Sequence, residues 1–187
     1  MITYEVLSHA LIRSAKEAGL KAYNVKSMMN TITCDREFSF LCTPEESDEP
    51  YTVRAEIDFH WDSVLTAQTV YGNNRPVFDE SSASVPSDEL DTDFLVELQI
   101  KYSFEADENI DKLNQELNRV FAKYMSHDNI PSIRWQLIVS NKGEQKITSI
   151  WAVHYWDINI KKDVEFNQIF REIHSVLMGL KDLSFLK

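Results

Sequence analysis

The chain has 187 residues, 43% of them hydrophobic, enough for one packed core of ordinary domain size. Acidic residues number 30 against 19 basic ones, and the net charge of −11 excludes passive affinity for nucleic-acid phosphates or anionic membrane surfaces. The excess is concentrated: residues 44–50 carry four acids and no base, residues 76–93 carry six acids and no base, and elsewhere the two signs nearly balance. Both stretches are poor in large apolar side chains and are expected to be solvated loops.

Val6, Leu7, Ala10, Leu11, Ala15 and Ala18 recur at helical spacing, Thr3 can cap the start, and Gly19 suits a left-handed stop. A first helix is therefore predicted over about 4–18. From about 22 to 71 the period becomes two. Phe38, Phe40 and Cys42 alternate with Glu37, Ser39 and Leu41, and then Val53, Ala55, Ile57, Phe59 and Trp61 alternate with Arg54, Glu56, Asp58, His60 and Asp62. A further strand is expected from Val64 to Tyr71, ended by Gly72-Asn73-Asn74-Arg75-Pro76, with an acidic flexible loop following over about 73–93.

Strand character returns from Phe94 to Phe104, where Phe94, Val96, Leu98, Ile100, Tyr102 and Phe104 form one face. Asp107 then caps a second helix with Ile110, Leu113, Leu117, Val120, Phe121 and Tyr124 on one stripe. Segments Ile133 to Ser140 and Lys146 to Ile160 read as a hairpin turning at Asn141-Lys142-Gly143-Glu144. Asp163 caps a third helix, carrying Phe166, Ile169, Phe170, Ile173, Val176, Leu177 and Leu180. Gly179 is expected near its stop, with Leu183, Phe185 and Leu186 as an apolar tail. Together these elements predict a single α+β domain over 1–187, with an antiparallel sheet of about six to seven strands and three helices mainly on one face.

The four glycines stand alone, so no phosphate-cradling loop is present, and no G-x-S-x-G, H-E-x-x-H or C-x-x-C pattern occurs. No cofactor is expected. Cys34 and Cys42 belong to no ligand cluster, Glu5 and His9 fall where a secretory signal would need hydrophobes, and apolar runs are short. A cytoplasmic protein without a membrane span is the expectation.

The sharpest constellation is Glu56, Asp58, His60 and Asp62, which alternation places on one strand face about 7 Å apart at successive positions. Asp58, His60 and Asp62 could share a divalent metal, or Asp58 and His60 could polarise a water. The wet side of an amphipathic strand has the same pattern, and a metal site needs ligands converging from a second element. Glu97, Gln99, Lys101, Arg134 and Gln136 extend this surface if neighbouring strands keep the same sidedness. Trp151, Val153 and Tyr155 point opposite to Ile150, His154, Trp156 and Ile158, so this strand is apolar on both sides. It is either covered twice or offers a contact surface, while His154 is expected to be a packed or hydrogen-bonded histidine.

The element order resembles that of the type III secretion chaperones, which implies a dimeric binding module and carries no residue across. The expectation is a non-catalytic protein-interaction module, chaperone-like or immunity- or inhibitor-like. It would bind a protein or peptide, a basic one included, through acidic loops and a sheet face bearing Glu56, Asp58, His60, Asp62, Trp151 and Tyr155. A homodimer would bury the surplus apolar surface at Trp151, Tyr155 and the tail. The alternative is a small metal-assisted or acid/base enzyme using Asp58 and His60.

Overall fold

Tyr4, Leu7, Ser8, Leu11, Ser14 and Ala15 recur every three or four residues, and that stripe is the buried side of the first helix, α1 (Tyr4–Glu17). The sequence pattern places Val6 on this stripe, but it is exposed, because it lies about 100° around the helix from Leu7. Gly19 ends the helix at φ 78°, a backbone conformation in which a side chain would be strained. The computed structural model describes residues 4–32, 35–47, 53–61, 95–104, 110–125, 132–139, 145–159 and 166–183. Thr3, Asp107 and Asp163 as caps, Asp62, the strand at 64–71, the acidic loop at 73–93, Cys34, the turn at 141–144 and the tail residues Phe185 and Leu186 lie outside them.

Beyond α1 come β1 (Leu20–Met29), β2 (Arg36–Pro44), β3 (Val53–Trp61) and β4 (Leu95–Phe104). A second helix, α2 (Ile110–Tyr124), precedes β5 (Ser132–Val139) and β6 (Gln145–Asn159), and α3 (Phe166–Lys181) follows. The fold is α+β. Among the described residues six strands form one sheet in the order β1-β2-β3-β4-β6-β5, every neighbouring pair antiparallel.

Register explains which side is core. Phe40, Ile57, Ile100 and His154 lie in one row across β2, β3, β4 and β6, and Cys42, Ala55, Tyr102 and Ala152 in the next. The three helices meet this side: Tyr4 of α1 lies 6.0 Å from the Phe59 ring, Phe121 of α2 5.6 Å from Tyr102, and Phe170 of α3 6.3 Å from Phe40. Tyr4 also donates from its hydroxyl to the Glu37 carbonyl at 2.9 Å and lies 2.9 Å from Ser27 Oγ, which pins α1 across β1 and β2. Arg36 reaches Glu5 and lies 5.2 Å from the Tyr4 ring centre.

Gly179 lies near the stop of α3, as expected, but does not itself make it. The helix continues to Lys181, and a Cβ at 179 would sit 2.6 Å from the Tyr124 ring and 3.0 Å from Val120, so glycine is what lets α3 approach α2. Leu183, expected in an exposed tail, is buried, with its N–H bonded to the Leu180 carbonyl. The acidic stretch from 44 is likewise partly fold: Pro44 closes β2 in a buried position, and the Glu45 N–H donates to the Gly19 carbonyl. No helix among the described residues is long and apolar enough to cross a membrane.

Candidate functional site

Among the described residues the helices occupy one side of the sheet, and the other side carries the sequence-predicted polar row. On β3 the inward residues Val53, Ala55, Ile57, Phe59 and Trp61 are buried, whereas Arg54 and His60 are exposed and Glu56 and Asp58 are half-exposed. Strand pairing sets their neighbours. Glu37 lies opposite His60. Ser39, Asp58, Gln99 and Tyr155 form one row, and Leu41, Glu56, Lys101 and Val153 the next.

Lys101 is the centre of this arrangement. Its Nζ lies 2.8 Å from Asp58 Oδ2 on the diagonal and 4.0 Å from Glu56 Oε2 directly across. Partial burial pulls its pKa down, but the Asp58 hydrogen bond and the charges of Asp58 and Glu56 more than offset this and hold it above the usual lysine value, with a smaller contribution from Tyr155. His60 turns to another partner, its Nδ1 3.8 Å from Glu37 Oε1. Asp58 and His60 therefore face different neighbours, Lys101 and Glu37.

Lys26 and Met28 of β1 complete the site. With Glu37, Ser39, Glu56, Asp58, His60 and Lys101 they line an open groove of about 450 Å³. Sequence periodicity missed both, because β1 is an edge strand exposed from Asn24 to Met29 and shows no alternation of burial. Alternation in the sequence puts Lys101 on the polar face. The carboxylate it selects depends on register, which composition does not reveal.

Trp151 and Tyr155 of β6 lie on the same open side, two strands from β3. Tyr155 is 49% exposed, Trp151 is half-buried and Val153 is buried. On the helix side His154 is buried, its ring 3.7 Å from that of Trp156, and its Nε2 has no hydrogen-bond partner. Burial drives its pKa down to about 4, so it stays neutral near pH 7. It is a packed histidine on the core side, remote in orientation from the groove. Cys42 is also buried there, its thiol pushed far up by burial and thus unreactive. Burial likewise raises the Tyr102 phenol, aided by Cys42 and Glu172.

Among the described residues no group of three His, Cys, Asp or Glu side chains is arranged to hold a metal ion. The groove can offer paired charges of both signs, a histidine, a serine hydroxyl and a methionine edge, a set suited to hydrogen-bonding and ion-pairing with a polar surface. Asp62, expected in this row, lies outside the described residues. No protein-family model, no curated protein and no solved structure matches the chain.

Proposed function

We propose that this chain is a non-catalytic, cytoplasmic protein-interaction module, chaperone-like or inhibitor-like, that binds a protein or peptide partner on the open face of its sheet. The supporting observation is the Lys101 ion-pair cluster with Asp58 and Glu56, set in a groove on the side that carries no helix among the described residues, and on the same face as the exposed Tyr155. A half-exposed ion pair contributes little to stability, whereas fixed charges beside a rigid aromatic give a partner register and orientation. The overall charge of −11 favours a partner with basic character.

The test is affinity capture from the native host, with wild type and a Lys101→Glu/Tyr155→Ala double variant as baits and mass spectrometry as the readout. A protein retained by wild type and lost by the variant supports the proposal. Recovery of the same set on both baits would sink it.

A second proposal, a small acid/base or metal-assisted enzyme, draws on the groove being lined by both Asp58 and His60. Its signature would be a Zn²⁺-, Mn²⁺- or Mg²⁺-dependent rise in melting temperature abolished by Asp58→Ala, since a bound metal stabilises by about 2.7 kcal/mol at a hundredfold excess over its Kd.

A further inference from the structure

The sheet's β1 edge has no strand on its outer side among the described residues, yet it exposes large apolar side chains at one end: Met28 is 57% exposed, Met29 55%, and Ile32 at the adjoining hairpin tip 91%. Exposed edges of this kind are normally blunted, because their N–H and C=O groups template another strand. Here a bulge blunts one half, and in the other Lys26 is the one charge. Asn24, at φ 52°, and Val25 together oppose the single residue Phe40, and this bulge bends the strand between Tyr23 and Lys26. From Lys26 to Asn30 the pairing with β2 is regular.

Backbone direction in that regular stretch follows from one bond. The Asn30 N–H donates to the Asp35 carbonyl at 2.8 Å, so Asn30, Met28 and Lys26 direct their backbone groups toward β2. Ser27 and Met29 direct theirs outward. A second strand can bond only to these outward groups, and the midpoint of the regular stretch is Met28. We propose that β1 pairs antiparallel with β1 of a second copy of this chain about a two-fold axis at Met28, joining two six-stranded sheets into one.

The register is set by three independent features. Ser27 and Met29 of one copy meet Met29 and Ser27 of the other as hydrogen-bonded pairs, which only an even register about residue 28 achieves for both. Lys26 then faces Asn30 of the second copy instead of another Lys26, so like charges do not meet. The bulge lies outside the paired stretch and limits its length. Met28 meets Met28 as a non-hydrogen-bonded pair, the closer of the two antiparallel spacings, and the soft, adaptable thioethers fill the junction. Because Lys26 and Met28 also line the open groove, the two grooves adjoin across the axis. This goes beyond the proposed open-face binding and does not depend on it.

Cysteine crosslinking reads the register directly. In a Cys34→Ser background, Met28→Cys places two thiols on the axis with Cα atoms about 4.5 Å apart, within disulfide reach. Val25→Cys, which faces residue 31 of the other copy, serves as the control. Copper–phenanthroline oxidation should link Met28→Cys into a dimer at least about tenfold faster than Val25→Cys. Analytical ultracentrifugation should show a wild-type dimer, and Met28→Lys should raise its dissociation constant about tenfold or more with an unchanged circular dichroism spectrum. Lys101→Glu/Tyr155→Ala should leave the dimer intact. A wild-type monomer at high concentration, equal crosslinking at 25 and 28, or a dimer broken by Lys101→Glu/Tyr155→Ala and not by Met28→Lys would overturn the proposal. The last outcome would move the contact to the open face.

Discussion

Strand β3 shows in nine residues how the two sides of the sheet differ. Inward, Ala55, Ile57 and Phe59 are essentially sealed beneath helices. Outward, Glu56, Asp58 and His60 meet solvent and one another's neighbours across strands. The two rows share one backbone, so their different roles come from burial alone. Apolar area removed from water stabilises at about 25 cal/mol per Å², whereas exposed ion pairs contribute about 0–1 kcal/mol. Stability should reside on the helix side and recognition on the open side, and substitutions can separate them.

The largest effect is expected at Phe170, fully buried against Phe40. Phe170→Ala should cost about 3–5 kcal/mol in urea unfolding, through lost transfer energy plus the cavity left behind. A loss below about 1 kcal/mol would mean that the helix side is loosely packed and would erase the contrast.

Next comes acid. The His154 pKa falls from 6.5 to about 4 on folding, so the unfolded chain binds the extra proton first. The neutral histidine's contribution is complete above pH 6.5 and is lost as pH falls toward 4, by about 3 kcal/mol. His154→Phe removes the titrating group and the unpartnered Nε2 together. Its stability between pH 6.5 and 4 should fall less steeply than that of wild type, and parallel curves would refute the assignment.

A smaller loss, about 1–3 kcal/mol, is expected for Gly179→Ala, whose methyl must displace the Tyr124 ring. Thermal unfolding measures it. An unchanged midpoint would show that Tyr124 yields freely and that the α2 and α3 contact is soft.

At the other end of the scale, Lys101→Met keeps the length of the side chain and removes the charge. The melting temperature should change by less than the equivalent of about 1 kcal/mol, while binding of the captured partner falls markedly. A large destabilisation with binding unchanged would reverse the roles assigned to the two sides.

These contrasts also explain what the amino-acid sequence revealed. Wherever one side of an element is buried, alternation or a helical stripe appears in the residues themselves, as in β3, α2 and α3. Strand β1 carries no such mark, since most of it meets solvent on both sides at the sheet's edge. The polar row Glu56, Asp58 and His60 was legible for the same reason that its opposite side is core. Its partners were not, because pairing Lys101 with Asp58 and His60 with Glu37 requires a register that no local pattern encodes. Gly179 shows a different limit: a glycine near a helix end has the same composition signal whether it terminates the helix or admits another one.

The position of β6 has a consequence for how the chain assembles. Strands β1, β2 and β3 pair with their nearest neighbours along the chain, but β6 inserts between β4 and β5 and bonds residues as distant as Leu95 and Asn159. Closing so long a loop costs chain entropy before any ladder bond forms, and such non-local pairing slows folding. Among the described residues the edge strand β5 finds its sheet partner only in β6. The N-terminal meander can thus zip early, while the C-terminal half waits for one long strand to find its slot. In pulse-labelled hydrogen exchange during refolding, the amides of β1, β2 and β3 should gain protection before those of β6, whereas simultaneous protection would indicate a single concerted step.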